Sequence, residues 1–363
     1  MRAAVTRAGK LAVEDVPDPV PQAGQVLVRT LACGICGSDV HALQHPEAFA
    51  GTMSRAGGSP HEIGDGIVFG HEFAAEIVGY GPDTVRSLPV GGIVCGPPIG
   101  SGPAGSAIIG YSRDFPGGFG EYMVLTEGCT YPVPNGLSPQ IAALTEPFSV
   151  AARAIRRSES APDSVAVVIG LGAMGLAVVA GLKARRQQMV VAVDFSPRRR
   201  ALAERLGADL VLDPAARSPY DCWDSLGVVA GMVDRMAAEY RGIRTTDTVI
   251  YECVGAPGLL AQVTAGAPAG ATIMLVGVCL GPDAVDPGLV VGKELDIRGS
   301  FGASPAEYRR TLRDIAEGRI DAGAILTGTT GLAGLPEAFA ELAAADRHAK
   351  IVVEPGSAAD RVG

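Results

Sequence analysis

Three short segments concentrate side chains that bind metals or move protons. Cys33-Gly34-Ile35-Cys36-Gly37-Ser38-Asp39-Val40-His41 holds two thiols, a hydroxyl, a carboxylate and an imidazole. Gly70-His71-Glu72 adds a second imidazole and a carboxylate, and Thr145-Glu146-Pro147-Phe148 adds another carboxylate. One thiolate, one imidazole and one carboxylate with a position left open form the donor set of a catalytic zinc, which polarises a substrate oxygen.

A second chemistry is written in Gly170-Leu171-Gly172-Ala173-Met174-Gly175. The run follows the apolar stretch Val165–Ile169 and opens a helical stretch, the context that a dinucleotide fingerprint requires. The first glycine makes the tight turn, the second lets the backbone approach a pyrophosphate, and the third lets helix pack on strand. The phosphates then meet free N–H groups at the helix start. Nineteen residues after Gly175, Asp194 ends a second apolar strand, where a carboxylate binds the adenosine ribose. A carboxylate there favours NAD over NADP. Arg198, Arg199 and Arg200 follow, and they either offset its repulsion of a 2′-phosphate or form a solvated helix face.

These segments need two kinds of scaffold. The 363 residues are too many for one ordinary domain and suit two. Alternating runs such as Gln25–Thr30 and Phe73–Val78, broken by Gly and Pro, make the first part β-rich. From about residue 160, buried-type strands alternate with helices: Val165–Ile169, Met189–Val193, Thr248–Cys253 and Thr272–Val276, with a helix over Arg198–Leu206. That alternation implies a doubly wound parallel sheet with helices on both faces. After about residue 295 the rhythm is lost and the chain returns to the first domain. The uncharged Val165–Leu182 stretch contains four glycines and reads as strand, turn and helix rather than a membrane span. A net charge of −9 gives no footing for nucleic acid. Seven cysteines without a signal peptide point to a reducing, cytoplasmic setting rather than a disulfide framework.

The motifs resemble those of the zinc-dependent medium-chain dehydrogenases/reductases, the alcohol dehydrogenase superfamily, and most their sorbitol and threonine dehydrogenase branch. Glu14-Asp15-Val16-Pro17, Gly118-Phe119-Gly120-Glu121-Tyr122, Lys293-Glu294-Leu295 and Gly299-Ser300-Phe301-Gly302 fall in the family's order along nearly the whole chain. The resemblance implies a Rossmann domain over 153–294 and a discontinuous, β-rich GroES-like catalytic domain over 1–152 and 295–363. The active site would lie in the cleft, at the carboxyl ends of the parallel strands.

It makes Cys36, His71 and Glu72 zinc ligands, with Glu146 a further ligand or a holder of water. A thiolate and one carboxylate neutralise Zn²⁺, so one of Glu72 and Glu146 is expected to exchange during turnover. Ser38 and His41 match the family's proton relay, which passes the alcohol's proton by way of a nicotinamide ribose hydroxyl toward solvent. Asp39 would orient His71. Val254, Val276 and Phe301 fall where the family packs the nicotinamide, and Arg199 falls beside the adenosine end. The implied activity is reversible hydride transfer between a secondary alcohol or polyol and NAD(P), in a homodimer or homotetramer paired through the Rossmann sheets.

Relatives often carry a second, structural zinc on four close cysteines. Residues 95–117 hold only Cys95, so one zinc per subunit is expected. Cys33 would be a non-ligand, His61-Glu62 a loop copy of the His71-Glu72 pair, and His45 and His348 lone histidines. Cys129, Cys222, Cys253 and Cys279 read as small hydrophobes. The long segment from His41 to Gly70, with Phe49, Met53 and a Gly57-Gly58-Ser59-Pro60 turn, lies where pocket walls come from and suggests a substrate larger than ethanol. Two other readings compete: an NADPH-dependent double-bond or carbonyl reductase, and a nucleotide sensor without catalysis. The complete ligand and relay set argues against both.

Overall fold

The computed structural model describes residues 1–56, 63–103, 105–344 and 346–363. His61-Glu62 and the Gly57-Gly58-Ser59-Pro60 turn lie outside the described residues. The chain divides into two compact units, residues 1–147, 304–318 and 326–363, and residues 148–303 and 319–325.

The first unit is built on one sheet, ordered Leu326–Thr330, Lys350–Val353, Gln25–Gly34, Glu72–Tyr80, Ile93–Cys95 and Tyr131–Pro132, with Tyr122–Thr126 also pairing Gln25–Gly34. Its register positions the chemistry. Gly34 lies opposite Glu72 on one side and opposite Val352 on the other. Side chains two residues apart share a face of a sheet, so Lys350 stands on the same face as Val352. Gly34 presents no side chain between Glu72 and that face. A Cβ there would sit 2.0 Å from Glu72 Oε2. The helix Gly37–Gln44 begins at Cys36, whose backbone N–H donates to Asp39 Oδ2 at 3.0 Å.

The second unit holds six parallel strands in the order Leu210–Leu212, Met189–Val193, Val165–Ile169, Thr248–Glu252, Thr272–Leu275 and Asp296–Gly299. Two strands run outward from Val165–Ile169 on one side and three on the other, the doubly wound order with a switch point beside that strand. All five residues of Val165–Ile169 are buried, and Trp223, Val263 and Ile273 belong to the same core. The apolar stretch 165–182 is therefore a strand followed by the helix Ala173–Ala184.

The unit boundaries differ from the sequence expectation. The sheet continues past residue 295, because Asp296–Gly299 pairs in parallel with Thr272–Leu275. Residues 319–325 also return to this unit. The first boundary falls within the helix Thr145–Ser158, after Pro147 rather than residue 152. Among the described residues no helix is long and apolar enough to cross a membrane.

Candidate active site

Cys36, His71 and Glu72 bring one thiol sulfur, one imidazole nitrogen and one carboxylate oxygen within 4.8 Å of one another. The three come from a helix N-cap and the start of the adjacent strand. The turn into that strand needs Gly70, whose φ is +102° and whose Cβ would meet Cys33 Sγ at 2.8 Å. An L-residue there would be strained in the left-handed region and would clash as well.

The surroundings select among the ligands. His71 Nδ1 lies 3.2 Å from Asp39 Oδ1. The approach is close but off the line of a well-formed hydrogen bond, since Nδ1 makes none by strict geometry. With a metal bound, it would keep the ring proton on Nδ1 and leave Nε2 as the ligand atom. Burial opposes the imidazolium, but Asp39 and Cys36 outweigh it and raise the His71 pKa well above its ordinary value. Cys33 is fully buried, and burial, with Asp39 and Glu72, pushes its thiol well up. It stays a neutral thiol, which leaves Cys36 as the sulfur of the three-residue group. A mixed thiolate, imidazole and carboxylate set fits zinc better than magnesium or calcium, which take oxygen ligands.

Glu146 lies outside the group of three. It is nearly buried, and burial first, with Glu72 and Asp39 adding and His71 and Lys350 opposing, pushes its pKa up to about 7. It therefore faces the site electrostatically from outside that group of three.

Two residues that sequence reading passed over hold the site together. Lys350, 1% exposed, donates from Nζ to both oxygens of Glu72, at 2.8 and 2.7 Å, and to Ile35 O at 2.8 Å. Burial works against its ammonium, but Glu72, Cys36 and Glu146 outweigh that and hold its pKa above the ordinary value. Tyr111, 4% exposed, places its hydroxyl 2.9 Å from Ser38 Oγ and 3.0 Å from Asp39 Oδ1. Burial and the neighbouring Asp39 raise its pKa well above that of an ordinary phenol. Its ring centroid lies 5.2 Å from Phe49, 5.8 Å from Phe69 and 5.3 Å from His71. Phe49, expected as pocket wall, thus packs on a residue hydrogen-bonded to Ser38. Ser38 and His41 are three positions apart on the helix Gly37–Gln44 and so share a face. The motif signals for Lys350 and Tyr111 are absent, because neither sits in a dense cluster of reactive residue types.

The nucleotide fingerprint occupies its expected turn. Gly170 has φ +86°, and a Cβ at Gly175 would lie 1.8 Å from Gly170 O. Gly172 meets nothing within 4 Å, which leaves the space a pyrophosphate needs at the start of the helix Ala173–Ala184. Asp194 accepts from Leu171 N and Ser196 N, both at 2.7 Å, which fixes its carboxylate beside the glycine turn. Arg200 donates to Asp194 O and Phe195 O and pairs with Asp213, so it braces the turn. Arg199 is half-buried with its Nε hydrogen-bonded to nothing, and Arg198 is exposed. Val276 and Phe301 line one cavity of about 390 Å³ past the ends of Thr272–Leu275 and Asp296–Gly299, together with Ser300, Arg153 and Arg157. Val254 caps Gly170 from the neighbouring strand end, 45% exposed. A Gly175→Ala substitution is expected to weaken NADH binding at least about tenfold by pushing the helix off the strand, read by quenching of NADH fluorescence.

Comparison with known proteins gives the same assignment. The zinc-binding dehydrogenase family model matches residues 173–317, and the alcohol dehydrogenase GroES-like domain model matches residues 22–135. (R,R)-butanediol dehydrogenase of Bacillus subtilis (strain 168) is 29% identical over 355 residues, covering 94% of this chain and 96% of its own. L-galactonate-5-dehydrogenase of Escherichia coli (strain K12) is 29% identical over 333 residues, 88% of each chain. The crystal structure of 2R,3R-butanediol dehydrogenase from Bacillus subtilis superposes with a TM-score of 0.77 at 28% identity, covering 98% of this chain and 99% of that one. The chain belongs to the zinc-dependent medium-chain dehydrogenases, in the branch of the sorbitol and threonine enzymes. It is an oxidoreductase of the alcohol dehydrogenase class, with a nicotinamide cofactor and zinc.

Proposed function

We propose that this protein oxidises a secondary alcohol or polyol with NAD, on a single zinc per subunit held by Cys36, His71 and Glu72. The observation that carries the reading is the joining of that donor triad to Ser38 through Asp39 and Tyr111. Zinc bound there would act as a Lewis acid that lowers the pKa of a substrate hydroxyl. The remaining steps belong to the chain. Asp39 holds the His71 ring in one tautomer. Ser38 accepts the hydroxyl proton, and His41, one turn on, takes it toward solvent. Glu146, with its pKa pushed up to about 7 by burial, would be the second carboxylate available to balance the charge of a zinc held there. Val276 and Phe301 line a cavity that would take the nicotinamide, which would supply the hydride acceptor.

The NAD preference rests on Asp194, whose carboxylate faces a ribose diol without penalty and repels a 2′-phosphate. With Arg200 tied to the turn, the charge nearest Asp194 is already used. The butanediol and galactonate relatives act, by name, on vicinal or multiple hydroxyls, and that is the substrate class we assign. We infer a homodimer or homotetramer acting on a small-molecule alcohol in the cytoplasm.

The test is an absorbance screen at 340 nm with NAD or NADP against 2,3-butanediols, sugar alcohols, sugar acids, threonine and simple secondary alcohols. NADH formation with a diol or polyol supports the reading. Activity confined to enones with NADPH would replace it by a double-bond reductase.

Burial and the neighbouring His45 lower the His41 pKa below its ordinary 6.5. His41 is therefore neutral, and able to accept a proton, at neutral pH. Falling pH charges it and removes the acceptor, so the alcohol-oxidation rate is expected to drop as pH falls through that lowered pKa. His41→Gln is expected to lose this acidic limb and to run at a lower, flatter rate in a kcat–pH profile.

A further inference from the structure

We propose that Tyr111 is a positioning residue that sets the direction of the Ser38 hydrogen bond and couples the proton relay to the metal ligand His71. The inference rests on the function proposed above and concerns a residue outside the ligand and relay motifs.

The Tyr111 hydroxyl lies 2.9 Å from Ser38 Oγ and 3.0 Å from Asp39 Oδ1, and it donates toward both, sharing one proton between them. Asp39 is wholly buried. Ser38 is the acceptor in its contact with the phenol, so its own proton points elsewhere and one lone pair stays open. That is the state in which Ser38 accepts from a substrate hydroxyl and passes its own proton on. Tyr111 neither gains nor loses a proton in the cycle.

The same bond loads the other arm. Asp39 Oδ2 accepts from Cys36 N at 3.0 Å, and Oδ1 receives Tyr111 beside His71 Nδ1 at 3.2 Å. Asp39 thus touches the backbone of one metal ligand and the ring of another. The phenol completes the hydrogen bonding of a buried carboxylate that would otherwise be free to swing. The phenol cannot drift, because Phe49, Phe69 and His71 surround its ring. A hydroxyl held by packing on a rigid ring is the preorganised form of such a group.

Tyr111→Phe separates positioning from packing, since phenylalanine keeps the ring and loses only the hydroxyl. With (R,R)-2,3-butanediol and NAD as probes, kcat is expected to fall about 10–100-fold with little change in KM. Zinc retention is the second readout. Dialysis of the zinc-loaded protein against graded chelator is expected to strip the variant at about 10-fold lower chelator than wild type, as when a ligand's supporting carboxylate is weakened. The third is coupling. In a Ser38→Ala background, Tyr111→Phe is expected to lower kcat no further, because its effect runs through Ser38.

A role in packing alone predicts unchanged kcat and unchanged zinc retention, and that pair of results overturns the proposal. Additive losses with Ser38→Ala overturn the relay arm. If wild type oxidises no alcohol, the function proposed above fails, while the chelator series still decides whether Tyr111 supports His71 through Asp39.

Discussion

Replacing Lys350 by methionine is expected to remove about 3–5 kcal/mol of folding stability, the usual loss when one partner of a buried ion pair is deleted. Methionine matches the length and apolar stem of lysine, so the core stays filled. What changes is that Glu72, wholly buried, loses the ammonium that contacts both its oxygens. Ile35 O loses its donor at the same time. Urea unfolding followed by circular dichroism should show a lower midpoint at unchanged slope. Zinc offers Glu72 a second counter-charge, so the loss should be smaller in zinc-loaded protein than in stripped protein. Lys350→Met/Glu72→Gln should recover much of the stability, because a neutral amide no longer needs the cation. An unchanged midpoint in Lys350→Met would mean that water, rather than Lys350, satisfies Glu72.

Cys36→Ser is expected to abolish zinc binding at micromolar metal and to lower kcat/KM for an alcohol by about 10³-fold or more. A hydroxyl is nearly isosteric with the thiol, but it stays protonated at neutral pH and is a poor zinc ligand. Loss of Lewis-acid stabilisation worth several kcal/mol, at about 1.4 kcal/mol per tenfold, gives that factor. The fingerprint glycines belong to the other compact unit, so NADH binding should persist within about twofold of wild type. Metal analysis of the desalted protein and NADH titration read the two effects separately. A Cys36→Ser protein that keeps stoichiometric zinc would move the ligand role to another thiol, with Cys33 the first candidate.

The features legible in the sequence are those whose reasons are local. Gly170, Gly172 and Gly175 are fixed by one turn, and Cys36 and Ser38 lie two residues apart at a helix start. His71-Glu72 follows a glycine held at positive φ. The two residues that tie Glu72 and Ser38 into place come from far along the chain. Lys350 reaches Glu72 across 278 positions, and Tyr111 reaches Ser38 across 73. Nothing in the residue pattern around either one reports the partner. Their meeting depends on the sheet register that sets Gly34 between the Glu72 and Lys350 strands.

The strand Asp296–Gly299 carries no clear sequence signal for a related reason. It is the edge of its sheet and half-exposed, with the sequence Asp-Ile-Arg-Gly, so it lacks the apolar run that marks Val165–Ile169. Glu146 shows the limit of a donor list. Its residue type and motif suit a ligand, and it lies outside the group of Cys36, His71 and Glu72 that comes together among the described residues.

The most direct test of the central claim is a metal-exchange assay on wild-type protein. Zinc per chain and NADH formation with a diol would be measured before chelation, after chelation and after zinc is restored. The account predicts activity that falls with zinc content and returns on addition of one equivalent of zinc per chain. Undiminished alcohol oxidation by protein with less than about a tenth of its zinc would contradict it.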